Sequence, residues 1–502
     1  MTTSSATHDA LEAIGCADVT RLLLNARRAL QALPPAITDL GTVFSDAGYE
    51  IALVGGPVRD AFLAIEPHDF DLTTNARPDT IEELIHRWGG TSWAVGKDFG
   101  TIGGRRDGVT VEVTTYRTEH YDPSSRKPTV EFGDRLEGDL ARRDFTVNAC
   151  AMVLPQFKLV DPFGGLEDLA NAVLRTPVSA EQSFDDDPLR IMRAARFAAQ
   201  LRIDVSEDVM AAMTRMASRL EIVSAERIRA ELERLIISPD PRRGLELMVH
   251  TGVCDVVLPE FSALQDTKDE HNRHKDVYEH TLTVLDQAMA LETDEDGPVP
   301  RPDFVLRFAA IMHDVGKPMT RRFERDGSVS FHHHDVVGAK LTRQRMRALT
   351  FDKQTIKDVS ELVRLHLRFH GYGEQQWTDA AVRRYVTDAG HLLERLHRLT
   401  RADCTTRNRR KAEYLRAAYD DLERRIAQLR EQEEIDAIRP DLDGQQIMEI
   451  LGLPPGREVG RARAHMLNVR MERGPMSEDE ARAELLRWWE EDRGATNGEV
   501  KK

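Results

Sequence analysis

The feature that most constrains the fold is a change of periodicity near residue 175. Residues 50–175 contain three runs rich in Val, Ile and Thr, separated by glycine turns: YEIALVGG, GTIGGRRDGVTVEVTTYR and FTVNACAMVL. In the second run Val109, Val111 and Val113 alternate with polar residues, which is the period of a half-buried strand. After residue 175 apolar residues recur at helical spacing, as in DPLRIMRAARFAAQL. The sequence therefore predicts an α+β protein, in which a small mixed-sheet head domain precedes a long all-helical body.

Length, charge and cysteine usage narrow the class of protein. The 502 residues are 41% hydrophobic and 31% charged, which is enough apolar material for folded domains. No run approaches the roughly 18 apolar residues of a membrane span. The first residues lack the cationic start and apolar stretch of a secretory signal, so we expect no membrane partner and a cytoplasmic location. Four widely spaced cysteines form no CxxC pair, which suits a reducing compartment and excludes a cysteine zinc site.

The formal net charge of −16 argues against general coating of nucleic acid, because phosphate binding depends on Lys and Arg. It does not exclude a local basic groove. Arginine is in fact used unevenly, with clusters in residues 187–234 and 407–416. Interleaved acids also allow these clusters to be helix surface with ion pairs between successive turns.

The stretch LVGGPVRDAFLAIEPHDFD, residues 53–71, places a glycine turn, an arginine and two aspartates in close succession. Gly55 and Gly56 follow a predicted strand, so their backbone N–H groups can cradle an anion. Arg59 adds a fork of donors suited to phosphate. Asp69 and Asp71 alternate on a short strand, which points both carboxylates to one face, where Mg²⁺ is the natural partner.

A pair of such ions would activate an attacking hydroxyl and steady a triphosphate leaving group. Glu112 lies on the polar face of a later strand and is a candidate third carboxylate. The alternative is a turn with solvated aspartates, which the Asp-x-Asp pattern alone would also fit. The GGPVRD sequence immediately upstream favours the nucleotide site.

GGPVRD followed by DFDLTT resembles the signature of the class II nucleotidyltransferases, the family of tRNA CCA-adding enzymes and bacterial poly(A) polymerases. Further stretches match the family's motifs in the same order: RRDFTVNACAM at 142–152, DPFGGLEDL at 161–169, DDPLRIMRAARFAAQL at 186–201 and ERIRAELERLI at 226–236. The match covers roughly residues 35–260 and continues more weakly to about 460. The resemblance implies a head domain with the polymerase-β-like nucleotidyltransferase fold.

The resemblance also implies roles residue by residue. The triphosphate would be held at the glycine turn by Gly55, Gly56 and Arg59. Two catalytic Mg²⁺ ions would be bound by Asp69 and Asp71, with Glu112 a third catalytic carboxylate. The remaining nucleotide-binding residues implied by the family are Arg143, Asp144, Asn148, Asp187, Arg190 and Arg193.

Within that set, Asp187 and Arg190 would read the base edge of CTP or ATP. Three residues apart on a helix they share a face, and together they offer both acceptors and donors. The family's motif begins with Glu where this chain has Asp186. The alternative is that Asp187 caps the helix ahead of Pro188, and that Arg190 belongs to its surface.

A second constellation of histidines and aspartates lies in the helical body. The candidate metal ligands are His280, His313, Asp314, His334, His366 and Asp403. Such side chains from several helices are how helical bundles build metal sites. The pattern resembles the HD phosphohydrolase superfamily, which implies a second divalent metal. Ordinary helix packing of histidines is the alternative. An HD domain in this setting would either hydrolyse phosphoesters, for example 2′,3′-cyclic phosphates at tRNA ends, or serve as a tRNA-binding body.

These patterns together predict five segments: an N-terminal extension at 1–30, a nucleotidyltransferase head at 31–165, a helical neck at 166–265, an HD domain at 266–435, and a helical tail with a disordered end at 436–502. The expected activity is addition of CCA to the 3′ end of tRNA from CTP and ATP. Three alternatives stay open. They are a poly(A) polymerase that adds only A, an HD-type phosphohydrolase with a nucleotide-binding N-terminal domain, and a non-catalytic RNA-binding protein.

Overall fold

The computed structural model describes most of the chain: residues 19–66, 70–96, 100–120, 129–133, 135–267, 276–325, 328–372, 377–406, 408–433 and 439–498. Asp69 of the predicted metal pair lies outside these residues. The chain divides into two compact units. The first consists of the residues up to Ser262 together with Ala348–Thr350, and the second consists of the remaining residues. None of the helices in the described ranges combines the length and the apolar character that a bilayer crossing requires.

The first unit opens with alternating helices and strands. Its first helices are α1 (Val19–Gln31), α2 (Pro35–Asp46), α3 (Gly56–Phe62), α4 (Pro78–Arg87), α5 (Leu136–Ala141) and α6 (Gly165–Ala170). Its strands are β1 (Ile51–Val54), β2 (Phe70–Thr74), β3 (Thr91–Gly96), β4 (Thr101–Arg106), β5 (Val109–Thr115), β6 (Arg117–His120), β7 (Thr129–Phe132), β8 (Ala151–Leu154), β9 (Lys158–Val160), β10 (Val173–Leu174) and β11 (Asp204–Val205).

Seven of these strands form one mixed sheet in the order β3-β4-β5-β2-β1-β8-β9. The β2–β5 pair is parallel, and the other neighbouring pairs are antiparallel. In β5, Val111 and Val113 are buried while Thr110 and Glu112 are exposed, as the alternation predicted. One sheet face packs against α5 through an apolar cluster that includes Ala52, Val54, Tyr116, Leu136 and Leu140. The predicted mixed-sheet head is confirmed.

The first unit continues as helices. These are α7 (Ala180–Asp186), α8 (Leu189–Leu201), α9 (Glu207–Met216), α10 (Ala225–Ile236), α11 (Pro241–His250), α12 (Val253–Val257) and α13 (Pro259–Ser262). Helix α8 is almost wholly buried, because its small residues let neighbouring helices approach on every side. The ring of Phe197 in this helix packs edge to face against the ring of Phe145 in the head, and the two ring centroids are 5.7 Å apart. This packing joins the sheet and the helices that follow it.

Within the residues that the structure describes, the regular elements of the second unit are helices and one short hairpin, as the sequence predicted. The helices are α14 (Val277–Ala290), α15 (Phe304–Met312), α16 (Lys317–Thr320), α17 (His334–Ala348), α18 (Lys353–Leu365), α19 (Asp379–Ala389), α20 (Leu393–Asp403), α21 (Arg409–Glu433), α22 (Gly444–Leu451), α23 (Arg457–Arg473) and α24 (Glu478–Gly498). The hairpin pairs β12 (Arg322–Phe323) with β13 (Val329–Ser330) in antiparallel register. Helices α22–α24 share a small core of their own, which includes Leu442, Ile447, Met466 and Leu485.

Substitution of Gly165, at the start of α6, tests how tightly the head is packed. A Cβ placed on Gly165 would lie 2.1 Å from the carbonyl oxygen of Thr146 and 2.8 Å from Cys150 Sγ. We therefore expect Gly165→Ala to lower the free energy of unfolding by about 2 kcal/mol or more, since the backbone must shift. Gly138→Ala in α5 is the matched control, because nothing lies within 4 Å of that Cβ. Alanine should stabilise that helix by about 0.5–1 kcal/mol. Thermal unfolding followed by circular dichroism checks both, and equal melting temperatures would contradict the packing.

Candidate active site and candidate metal centre

Two of the predicted catalytic carboxylates lie side by side on the sheet. Asp71 of β2 is the register partner of Glu112 of β5, so in this parallel pair both side chains leave the same face. Both residues are exposed, whereas their neighbours Leu72 and Val113 are buried. Adjacent strands lie about 4.8 Å apart, a separation that lets one hard cation contact both carboxylates. The donor set therefore fits Mg²⁺.

The glycine turn is next to these carboxylates. Leu53 pairs with Leu72, and continuing that register sets Asp71 beside the end of β1, just before Gly55. Gly55 has φ 74° and ψ −128°, a conformation that favours glycine. A Cβ there would also lie 2.9 Å from Nη1 of Arg143. The close approach of this guanidinium makes the turn electropositive, as binding of a triphosphate requires.

Arg59 connects the turn to the rest of the site through buried hydrogen bonds. It donates from Nη1 to Asn148 Oδ1 at 2.7 Å and from Nη2 to Asp60 Oδ1 at 2.7 Å. Asn148 in turn donates from Nδ2 to Asp144 Oδ1 at 3.0 Å. Asp144 accepts on Oδ2 from Nε of Arg193 at 2.9 Å. Four residues that the family resemblance assigned to nucleotide binding are thus one connected network.

The carboxylate of Asp144 is held in its charged form inside this network. Burial alone would raise its pKa, but the Arg193 guanidinium and the hydrogen bond from Asn148 outweigh burial and hold the pKa at about 2. The backbone N–H of Phe145 donates to the same carboxylate at 2.8 Å. Because its oxygens are already occupied by protein donors, Asp144 positions Arg193 and Asn148 in this structure.

Two acids that the sequence analysis did not single out hold the arginines in place. Glu231 of α10 is buried and accepts from Arg193 Nη1 at 3.3 Å and from Arg196 Nε at 2.5 Å. Asp139 of α5 is buried and accepts from Arg142 Nη2 at 2.7 Å. Glu231 meets its arginines from a helix that is distant in sequence. Asp139 meets Arg142 within one helical turn.

Asp139 also contacts the face of the sheet that carries Asp71 and Glu112. It forms an ion pair with Arg143 at 3.4 Å and accepts a hydrogen bond at 3.2 Å from Thr73, which follows Asp71 in β2 by two residues. Burial would raise the pKa of Asp139, but Arg142 and Arg143 lower it below its ordinary value. The sequence GDLARR could have predicted these ion pairs. Asp139 precedes Arg142 and Arg143 by three and four residues, and side chains at that spacing meet on a helix.

The two residues expected to read the base both have protein partners. Asp187 accepts from Nη2 of Arg227 at 2.8 Å and from the backbone N–H of Leu189 at 3.2 Å, so its carboxylate also caps α8. Arg190 is 7% exposed and donates to Ser183 Oγ at 2.8 Å and to the carbonyl of Arg142 at 2.5 Å. The expectation that Arg190 is helix surface, which belonged to the capping alternative, is wrong.

The six candidate ligands of the second unit meet at one point although five different segments carry them. His280 lies in α14, His313 and Asp314 follow α15, His334 begins α17, His366 follows α18 and Asp403 ends α20. Two triplets have ligand atoms within 4.8 Å of one another: His280, His313 and Asp403, and Asp314, His334 and His366.

Asp314 is the centre of this cluster and is 1% exposed. Its carboxylate lies 3.2 Å from His313 Nε2, 3.3 Å from His334 Nε2 and 3.6 Å from His280 Nε2. Lys317 Nζ also lies 2.7 Å from it. Burial would raise the pKa of Asp314, but the surrounding cationic groups lower it well below its ordinary value.

The imidazole rings are oriented as those of metal ligands are. Nδ1 of His313, His334 and His366 lies 2.6–2.8 Å from the carbonyl oxygen three residues earlier, which fixes the tautomer that carries its proton on Nδ1. The Nε2 atoms of the same three residues are buried and have no hydrogen-bond partner among the described residues. Burial also lowers the pKa of His366 to about 3, so this imidazole is neutral. Buried Nε2 atoms beside carboxylates fit the ligand set of a divalent metal ion.

Comparison with known proteins identifies related families for both units. Three family models match: the poly A polymerase head domain over residues 51–175, the probable RNA and SrmB-binding site of polymerase A over 203–264, and the HD domain over 277–429. An A-adding tRNA nucleotidyltransferase of Deinococcus radiodurans is 35% identical over 457 residues, which are 88% of this chain and 96% of that protein. A CC-adding tRNA nucleotidyltransferase of Thermus thermophilus is 32% identical, over 87% of this chain and 93% of that protein.

Sequence matches to CCA-adding enzymes include some over a shorter span. A CCA-adding enzyme of Streptococcus gordonii is 36% identical over 56% of this chain and 70% of that protein. Among solved structures, the Bacillus stearothermophilus CCA-adding enzyme in complex with CTP superposes with a TM-score of 0.65 at 24% identity. That alignment covers 93% of this chain and all of the other, and it shows a shared fold.

The Asp144–Arg193 contact gives a test of the network. Arg193→Met leaves a buried carboxylate without its cation, and we expect a loss of about 2–3 kcal/mol in the free energy of unfolding, since Arg193 is itself partly exposed. Arg215→Met, which removes the exposed ion pair with Glu181 on the same unit, is the matched control and should cost at most about 1 kcal/mol. Denaturant titration measures both. Equal losses would mean that the buried pair contributes no more than a surface pair.

Proposed function

Because the chain belongs to the tRNA nucleotidyltransferase family, we propose that it builds the CCA end of tRNA from CTP and ATP. The observation that carries the proposal is the pairing of Asp71 with Glu112 beside the glycine turn, in a head of this family. The 3′-hydroxyl of tRNA would attack the α-phosphate of the bound nucleotide, and pyrophosphate would leave. A divalent metal is usual in this family, and bound Mg²⁺ would supply a Lewis acid for the hydroxyl and the triphosphate.

The protein's own groups have separate tasks in this reaction. Asp71 and Glu112, with Asp69, would hold two Mg²⁺ ions. Gly55 and Gly56 would let the backbone approach the triphosphate, and its charge would be met by Arg59 and Arg143. The buried support of these arginines, through Asn148, Asp144 and Asp139, favours a preorganised site, because fewer side chains need to be ordered when the nucleotide binds.

Base selection is proposed for Asp187 and Arg190, with Arg193 contacting the same nucleotide. Together a carboxylate and a guanidinium match an amino-bearing base edge, which CTP and ATP share. Since both groups have protein partners, the incoming base would exchange with Arg227 or share these donors and acceptors. Addition of A alone is the second candidate, and the A-adding relative, of which this chain covers 96%, favours it.

For the second unit we propose a divalent metal bound by His280, His313, Asp314, His334, His366 and Asp403. Three buried Nε2 atoms around one carboxylate, which make no hydrogen bond within the described residues, support it, because unsatisfied buried polar atoms are costly unless a ligand uses them. A phosphoester is the proposed substrate class, with the metal supplying an activated water when bound.

The finer organisation is also proposed. The head would extend over 31–165, the neck over 166–265, the HD domain over 266–435 and the tail over 436–502, after an extension at 1–30. A substrate such as tRNA supports a cytoplasmic location.

The transferase proposal predicts that Asp71→Ala lowers the rate of nucleotide addition to tRNA by at least about 100-fold, because a metal ligand is lost. Asp39→Ala, which removes an exposed carboxylate of α2 in the same unit, is the control and should leave the rate unchanged. The measurement is incorporation of labelled CTP and ATP into tRNA ending at the discriminator base. Full activity of Asp71→Ala would overturn the site assignment.

Sequencing the same products separates the two nucleotide specificities. With CTP and ATP together, the proposed activity gives tRNA ending in CCA. An enzyme that adds only A would leave the bare discriminator end unextended by C, and would add a single A to tRNA that already ends in CC.

The metal proposal predicts that metal-stripped protein binds Mn²⁺ and that His366→Ala weakens binding at this centre by at least about 100-fold. His391→Ala is the matched control, since that histidine is exposed and bonds Asp358 at 2.9 Å. Titration followed by electron paramagnetic resonance counts the bound ions, and the Asp71→Ala background removes those bound at the head. Unchanged binding by His366→Ala would show that the six residues form no metal site.

A further inference from the structure

The segment that joins two of the proposed metal ligands is a hairpin with exposed apolar side chains. After Asp314 the chain forms α16, β12 and β13 before it returns to the cluster at His334. Both ends of this segment are tightly packed together: a Cβ on Gly316 would lie only 2.1 Å from the carbonyl oxygen of His334. We call α16, β12 and β13 the rim hairpin, because the segment leaves and rejoins the metal centre at adjacent points.

The rim hairpin carries the two most exposed large apolar side chains in the described part of the chain. Phe323 is 74% exposed and Met319 is 72% exposed. Val336, two residues after His334, is 55% exposed. Single exposed apolar residues are ordinary, but an exposed aromatic ring and a methionine on one short segment at a candidate site indicate a ligand surface.

Positive charge accompanies these apolar groups. The sequence KPMTRRFER, residues 317–325, holds four basic residues and one acid in a chain whose net charge is −16. The guanidinium of Arg321 lies 4.9 Å from the centroid of the Phe323 ring, and its Nε has no hydrogen-bond partner among the described residues. Arg322 is exposed on the strand that carries Phe323. An anionic ligand with flat apolar surfaces has the complementary chemistry.

We propose that the rim hairpin is a stacking platform that docks the single-stranded end of an RNA at the HD centre. A base would stack on Phe323, whose ring is backed by Arg321, and the phosphates would be met by Arg321 and Arg322. An aromatic ring combined with arginines is the usual way to bind single strands without reading their sequence. The inference rests on the proposed phosphoester site and narrows its substrate to the end of a polynucleotide instead of a free mononucleotide.

The test measures binding with no metal present, so it does not depend on either activity. The probe is a short single-stranded RNA with a 3′-phosphate and 2-aminopurine as its last base, titrated into the full-length metal-stripped protein. Stacking on Phe323 should quench the 2-aminopurine fluorescence. Phe323→Ala should abolish the quench and weaken binding, measured by anisotropy, about tenfold, as expected for the loss of one stacked base.

Two variants control for other effects of the substitution. Phe323→Tyr keeps an aromatic ring and should retain the quench and the affinity. Leu486→Ala removes another exposed apolar side chain of the same unit and should change neither. Because Phe323 is exposed, all three variants should melt at the temperature of the unsubstituted protein, which circular dichroism verifies.

Equal affinity and quench in Phe323→Ala and the unsubstituted protein would overturn the proposal. So would a result in which Phe323→Ala binds RNA normally but changes the sedimentation coefficient, since the hairpin would then contact a second copy of the chain. The outcome is separable from the other proposals. Loss of Mn²⁺ binding or of CTP addition in the unsubstituted protein would overturn those functions, while a Phe323-dependent quench would still support the platform.

Discussion

The buried ion pair of Asp144 and Arg193 is the interaction on which the first unit depends most. It joins the segment between α5 and β8 to the buried helix α8, and both partners make further contacts. Asp144 reaches the glycine turn through Asn148 and Arg59, and Arg193 reaches α10 through Glu231. A buried charge of this kind adds little net stability, but removing one partner is costly. The pair therefore fixes the position of α8 relative to the sheet face that carries Asp71 and Glu112.

The second unit uses the opposite arrangement of charge. Its histidines have partners for their Nδ1 atoms: a backbone carbonyl for His313, His334 and His366, and the Thr405 hydroxyl at 3.0 Å for His280. The Nε2 atoms of three of the imidazoles lie near Asp314 and have no hydrogen-bond partner in the described part of the chain. In the first unit Asp144, Glu231 and Arg193 are matched by opposite protein charges, whereas the second unit leaves buried imidazole Nε2 atoms available to a ligand. The contrast is physical grounds for treating the first network as support and the second as a ligand site.

The sequence predicted the features that depend on local interactions and did not predict those that depend on contacts between distant segments. The period-2 alternation of Val109–Thr115 and the 3.6-residue spacing of α8 are local, and both predicted their elements correctly. Pairing of Asp71 with Glu112 depends on a parallel register between strands with two others between them in sequence, which no local pattern specifies. No local pattern predicts the contacts of Glu231 either, because its partners Arg193 and Arg196 lie on another helix. Family resemblance supplied the arginines and Asp144 but not Glu231 or Asp139, which also hold them.

Helix α10 shows how such distant support can influence specificity. Arg227 and Glu231 stand four residues apart on it, so both side chains leave the same face. Arg227 holds the carboxylate of Asp187 and Glu231 holds the guanidinium of Arg193, which are residues of the α8 region proposed to contact the nucleotide. A base that took the Asp187 carboxylate would have to compete with Arg227 at 2.8 Å, while Arg193 stayed anchored. The identity of the accepted nucleotide would then depend on the position of α10 as well as on the two groups that touch the base.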